Sequence, residues 1–281
     1  MSSVNTLPPE VWHEIFDHAT YVPGLLDTNQ SAPSQVWAPW ASSEADVATN
    51  KSVHIRTTII KVCSSWRRMA MRLFCQYIRA TPVDFDGDVK TSLTWFRKLV
   101  RRFDGESASS LVGCNPTWTI RIDCDKAFAR TQSLSRLLQL CRNLRIFNLT
   151  NEFGGVLDPY AFVKLNGTFE QYHAQTLRRL NYHDVDIDRS QEYYGDSLAP
   201  DIALDSLSIA IGSKFDQHYN PLEYAPPPPG ALNSISSLSL YFPNDIPDSI
   251  NPWLLPFLQH LSIKSESDGP SPITPLLWPT V

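Results

Sequence analysis

Leu144-Arg145-Ile146-Phe147-Asn148-Leu149, Leu177-Arg178-Arg179-Leu180-Asn181-Tyr182, Leu204-Asp205-Ser206-Leu207-Ser208-Ile209, Ile235-Ser236-Ser237-Leu238-Ser239-Leu240 and Leu258-Gln259-His260-Leu261-Ser262-Ile263 share one pattern, L-x-x-L-x-L. The apolar alternation that ends each copy has the period of a strand with one buried face. The copies begin at residues 144, 177, 204, 235 and 258, so successive starts are 33, 27, 31 and 23 residues apart. A weaker sixth, Trp118-Thr119-Ile120-Arg121-Ile122, precedes them. A unit of this size has an apolar edge that it cannot cover alone, so the series predicts stacked units sharing one continuous core. Exposed strand positions in this frame include Arg145, Asn148, Arg178, Asn181, Asp205 and Ser208, with Arg179, Ser236, Ser239, Gln259 and Ser262 beside them.

Helical patterning lies between several copies. It is best at 133–143, where Leu134, Leu137, Leu138 and Cys141 recur at helical spacing, and a second candidate runs from Pro159 to about Tyr172 behind a capping Asp158. A strand followed by a helix in each unit resembles leucine-rich repeats. The spacing straddles their roughly 20 to 29 residues, so the resemblance implies an irregular solenoid with insertions. One insertion is the run Pro226-Pro227-Pro228-Pro229-Gly230, read as a loop spacer. The chain ends at Val281 in mid-repeat, as a fragment or truncated sequence would. Ahead of the repeats, residues 92–103 read as a connecting helix. Leu93, Phe96, Val100 and Phe103 form its apolar stripe, and Arg97, Lys98, Arg101 and Arg102 form a solvated basic face.

Two N-terminal stretches carry the functional signal. In Leu7-Pro8-Pro9-Glu10-Val11-Trp12-His13-Glu14-Ile15-Phe16 the prolines suit a first helical turn, where a missing N–H costs nothing, and Glu10 and Glu14 favour the same end. In residues 59–73, Ile59, Val62, Cys63, Trp66, Ala70 and Leu73 recur at three and four, giving one apolar stripe opposite Arg67, Arg68 and Arg72. The opening Leu-Pro-x-Glu and the later Val62-Cys63-Ser64-Ser65-Trp66 resemble the two halves of an F-box. The resemblance implies docking to a Skp-type adaptor, and through it to a cullin, with contacts from Leu7, Pro8, Val11, Ile15 and Phe16, then Val62, Cys63 and Trp66. The chain departs from a compact F-box in its long spacer, about residues 19–54, whose content resembles F-box-like proteins of higher fungi. The alternative is that both stretches are ordinary helices packed on the repeats.

Composition excludes several classes. With 24 Lys plus Arg against 29 Asp plus Glu, the formal charge of −5 offers no global attraction to nucleic acid or an anionic membrane surface. No apolar run approaches the ~20 residues of a membrane span, and the first residues lack a signal-peptide pattern, so a cytoplasmic or nuclear location is expected. Five cysteines, Cys63, Cys75, Cys114, Cys124 and Cys141, include no C-x-x-C pair and read as reduced, mostly buried thiols, Cys63 among them.

Chemistry is sparse. His183-Asp184-Val185-Asp186-Ile187-Asp188 alternates carboxylates, but an EF-hand would need Gly where Arg189 stands and Glu where Gly195 stands, so the cluster reads as an exposed acidic patch. None of the seven histidines has H-x-x-x-H spacing, and no nucleophile elbow or phosphate-binding glycine loop occurs. No catalytic residue, metal or cofactor is assigned. The combined reading is an α/β chain: an F-box-like helical module over 1–80, a connecting helix in 81–110 and degenerate leucine-rich repeats over 111–281. As a non-catalytic substrate receptor of a ubiquitin ligase, it would bind an adaptor at one end and an unidentified protein target on the repeats. A repeat scaffold without a ligase role is the alternative.

Overall fold

Among the described residues, seven strands pair in parallel in the order of the sequence, so each of them lies beside the one that precedes it in the chain. The computed structural model describes residues 7–23, 25–26, 43–80, 89–104, 115–129, 131–150, 159–185, 200–211, 233–242 and 256–265. Three helices come first, α1 (Pro9–Thr20), α2 (Ser43–Val62) and α3 (Ser64–Gln76), and α3 runs directly into β1 (Tyr77–Ala80). Then follow α4 (Val89–Phe103), a 3-10 turn at Pro116–Trp118, β2 (Arg121–Asp125), α5 (Lys126–Ala129), α6 (Gln132–Leu140), β3 (Ile146–Thr150) and α7 (Pro159–His173). The remaining strands are β4 (Arg179–Val185), β5 (Ser206–Ile211), β6 (Ser237–Phe242) and β7 (His260–Ser265).

The repeated pattern produces this register directly. Ile78, Ile122, Phe147, Leu180, Leu207, Leu238 and Leu261 share one column across the sheet. Cys124, Leu149, Tyr182, Ile209 and Leu240 share the next column on the same face. These residues join Phe96, Leu99, Val100 and Phe103 of α4, Leu134, Leu137 and Leu138 of α6, and Phe162, Leu165 and Phe169 of α7 in one core. Aromatic rings lock the layers together, with Phe96–Phe128 and Phe147–Phe169 centroids at 5.0 Å and Phe162–Tyr182 at 4.9 Å. At the entry to five successive strands, one carbonyl accepts two consecutive N–H groups. Ile120 takes Arg145 and Ile146, Arg145 takes Arg178 and Arg179, and Arg178, Asp205 and Ser236 continue the series at 2.8–3.1 Å. Identical backbone geometry at each step is what identical L-x-x-L-x-L entries require.

Several sequence expectations shift. The sixth copy slides by two residues: Ile122 and Cys124, rather than Ile120 and Ile122, align with Phe147 and Leu149. An additional strand, β1, opens the sheet inside the expected 1–80 module. The segment expected only to connect is part of the core, because α4 packs its Phe96, Val100 and Phe103 into the cluster that runs from Met71 to Leu240. Asp158, the polyproline run and the carboxylates of the 183–188 cluster lie outside the described residues and side chains. Cys75 is disulfide-bonded, against the expectation of reduced thiols, whereas Cys124 and Cys141 are free and buried. Burial pushes the Cys141 thiol up to about 12 and holds that of Cys124 well above its ordinary range. Among the described residues, no helix is long and apolar enough to cross a membrane.

His173, at the end of α7, is fully enclosed. Its Nε2–H donates to the Leu138 carbonyl at 2.9 Å, and its Nδ1 has no partner. Protonation would place a charge on an enclosed nitrogen with no acceptor, so desolvation lowers the pKa from 6.5 to about 4. The unfolded chain therefore binds more protons between those values. Stability is complete above pH 6.5 and falls as pH drops toward about 4, by roughly 3 kcal/mol over the window. Urea denaturation of the wild type should show this decline, and His173→Gln, which retains a donor for Leu138 but does not titrate, should flatten it.

Candidate functional site

The N-terminal helices close on an aromatic trio. Trp12, Phe16 and Trp66 stack with centroids 5.7, 4.8 and 5.1 Å apart, joining α1 to α3. Phe16, Ile59, Ala70 and Leu73 are the buried centre, with Trp12, Ile55, Ile60, Trp66 and Met69 packed around them. Of the expected adaptor contacts, Phe16 is buried in the module's own interior and Trp66 is half-buried against it. The others lie on its surface. Leu7 is 43% exposed, Val11 36%, Ile15 41% and Val62 56%, and Pro8 and Cys63 are exposed beside them in the chain. Val11 and Ile15 are spaced by four on α1, the repeat of one helix face, and Leu7 precedes the helix, before the extended Pro8 cap.

The expected single stripe over residues 59–73 is interrupted at Cys63, which takes an extended conformation with φ −159° and ψ 169° and separates α2 from α3. Its sulfur accepts the Trp66 N–H at 3.4 Å and its carbonyl accepts the Arg67 N–H at 2.9 Å. Cys63 is therefore an exposed helix cap and not the buried apolar residue expected, a role its sulfur fills weakly by comparison with a hydroxyl or carboxylate. Arg67 spans the break by donating to the Ile60 carbonyl at 2.9 Å.

The 19–54 spacer contains the first part of α2, which ties the module to the sheet. The Ser52 hydroxyl donates to the Thr20 carbonyl at 2.6 Å, and Arg56 donates to the Leu73 carbonyl at 2.9 Å. Val22 and Leu25, just beyond α1, pack against Tyr77 of β1. Arg79 of β1 donates to the Asn50 side chain on α2. The helices cover the β1 edge of the sheet.

Opposite the apolar columns, the sheet carries a polar row: Arg79, Asp123, Asn148, Asn181, Ser208, Ser239 and Ser262 lie in register. Asp123 is its hub. Its carboxylate accepts Arg121 Nε at 2.8 Å and Nη2 at 2.9 Å, the Tyr77 hydroxyl at 2.7 Å and Asn148 Nδ2 at 2.5 Å. Asn181 then donates to Asn148. The Arg121 guanidinium also lies 5.6 Å from the Tyr77 ring centroid and donates to the Leu25 carbonyl at 3.1 Å. Burial and the neighbouring Asp123 charge hold the Tyr77 phenol well above its usual range, so it remains a hydrogen-bond donor. Every strong polar group at this hub is engaged within the protein. Its chemistry is register and rigidity.

The expected target-facing residues divide into two groups. Asn148, Asn181 and Ser208 were expected on an exposed face, yet all three are buried in the polar row, where small side chains sit close between strands. Arg145, Arg178 and Asp205 stand at the strand entries, exposed or half-buried, and their carbonyls carry the paired N–H contacts. The hub residues Tyr77, Arg121 and Asp123 were missed. Their signal was the fifth position of each copy, uniformly small and polar from Asn148 to Ser262, which predicts a row once β2 is placed in register. Among the described residues, no group of three or more His, Cys, Asp and Glu could hold a metal ion.

No family model, curated protein or solved structure matches this chain.

Removing the hub carboxylate takes from the buried Arg121 guanidinium the oxygens that accept its Nε and Nη2. Asp123→Ala should lower unfolding free energy by about 3 to 5 kcal/mol, whereas Ser239→Ala, in the same row, should cost less than about 1 kcal/mol. Equilibrium denaturation of both variants checks the contrast.

Proposed function

We propose that the chain is a non-catalytic substrate receptor: the N-terminal helices act as an F-box-like module that docks a Skp-type adaptor, and the strand units act as an irregular leucine-rich-repeat solenoid that holds a protein target. The observation carrying this reading is a module with a buried centre that still exposes apolar side chains on α1 and just ahead of it. Phe16, Ile59, Ala70 and Leu73 complete the core, so the exposed Leu7, Val11 and Ile15 add nothing to it. Covering three such side chains would contribute a few kcal/mol of association free energy, at roughly 25 cal/mol per Å². Pro8, Val62 and Cys63 complete the proposed contact set, with Phe16 and Trp66 as its internal support.

Strands in sequence order with a repeated entry geometry support the solenoid reading. The units would contribute by proximity, raising the local concentration of a target lysine near an enzyme carried elsewhere in a cullin assembly. Arg145, Arg178 and Asp205 are the proposed target contacts that reach the surface. Such a protein would act in the cytoplasm or nucleus and needs no cofactor.

One observation favours a scaffold without a ligase role. The helical module packs on β1 through Val22, Leu25 and Tyr77, as an internal cap of the repeats would. Co-purification with a Skp-type adaptor separates the readings. Val11→Asp should abolish a complex formed by the wild type while leaving the melting temperature within a few degrees, because Val11 lies outside the core. Trp66→Ala, which opens the aromatic trio, should instead cost about 2 to 4 kcal/mol of stability. A folded wild-type chain that ignores the adaptor would favour the scaffold.

A further inference from the structure

The described surface contains a cleft of about 570 Å³ between α4 and the start of α6, and its charged lining is three arginines: Arg97, Arg101 and Arg136. Arg97 and Arg101 are one turn apart on α4, both exposed, so their like charges repel across the same helix face. Arg136 reaches in from α6. The floor is apolar at Val100, and the remaining wall is Thr131, Gln132 and Ser133, the cap and first two residues of α6, where the helix presents its positive end.

One acid answers these charges. Asp104, immediately after α4, accepts Arg136 Nε at 2.9 and 2.8 Å and Nη2 at 2.5 Å, and Arg136 Nη1 donates to Gln139 Oε1 at 3.3 Å, which pins that guanidinium at the rim and holds the Asp104 carboxyl below its ordinary range. Among the described residues, Arg97 and Arg101 have no acidic partner. Arg97, Lys98 and Arg101 are exposed, as a solvated basic face requires, and Arg97 and Arg101 also form one wall of a concavity with a net excess of positive charge, in a chain whose overall charge is −5.

We propose that this cleft binds a phosphoryl dianion. Arg97 and Arg101, facing the N-terminal end of α6, together match a tetrahedral group with three acceptor oxygens better than they match a planar monovalent carboxylate. An extended polyanion is disfavoured, because the positive groups converge in a pocket instead of lining a track. Free phosphate and a phosphorylated side chain share the chemistry. The inference stands independently of adaptor docking, since none of these residues belongs to the N-terminal module.

Calorimetric titration of the full chain with inorganic phosphate, at ionic strength held constant with chloride, tests the assignment. The expected result is saturable binding that weakens about ten-fold for each guanidinium removed in Arg97→Gln and in Arg97→Gln/Arg101→Gln. Both side chains are exposed, so the variants should melt with the wild type. Asp104→Asn, which removes the negative charge that answers Arg136 beside the cleft, should tighten binding. Titration with a capped phosphoserine amide identifies the source: tighter binding than inorganic phosphate assigns a phosphorylated side chain, and weaker binding assigns the free anion. A response equal to the chloride control, equal binding by wild type and the double variant, or equal binding of the unphosphorylated serine amide would overturn the proposal.

Discussion

The structure depends on parallel pairing between consecutive strands, with one entry carbonyl accepting two N–H groups at each step from β2 to β7. That contact fixes where a strand begins relative to its predecessor, and the side-chain period then does the rest. A slip of one residue would turn Phe147 and Leu149 outward and bring Asn148 into the core. Both faces oppose such a slip, because the apolar columns require α4, α6 and α7 on one side and the Asp123–Asn148–Asn181 row requires hydrogen-bond partners on the other. The polar row stabilises register more than it stabilises the chain as a whole. Its free-energy contribution arises from avoiding unpaired buried groups.

Much of the strand layer was legible because its signal repeats. One L-x-x-L-x-L is compatible with many elements, whereas five in series with matching polar residues at the fifth position leave few alternatives to a parallel sheet. Helices α6 and α7 were legible for the same reason, their apolar spacing being regular. β1 was not, since Tyr77-Ile78-Arg79-Ala80 is four residues long and continues directly from a helix, leaving no break to announce it. α2 was hidden for a different reason. Its Ser43–Val62 sequence is rich in Ser, Thr and Asn and weakly amphipathic, and its place comes from tertiary contacts such as Ser52 with Thr20 and Arg56 with Leu73.

The candidate docking face was partly legible. Helical spacing puts Val11, Ile15 and Phe16 on one face, yet Phe16 is buried while Val11 and Ile15 are exposed, because composition could not separate an apolar residue that fills a core from one that remains outside. Phe16 and Trp66 have the same character as their exposed neighbours and differ only in what lies opposite them, which is each other and Trp12. The break at Cys63 was equally hidden. A stripe at three-and-four spacing continues through residues 59–73 on paper, while the chain turns there and caps α3 with the cysteine. The resulting division of labour is physical: one buried and two half-buried aromatics hold the helices in place, and the smaller aliphatics of α1 remain exposed.

Hydrogen–deuterium exchange of the full chain, alone and with a Skp-type adaptor, tests the central claim most directly, since it reads both the sheet and the docking face in one experiment. The account predicts slow exchange through β2–β5 in the free protein, and adaptor-dependent protection confined to residues 7–16 and the turn around residues 62–63. Protection appearing instead over β5–β7, or no change at residues 7–16 in a complex that forms, would contradict it.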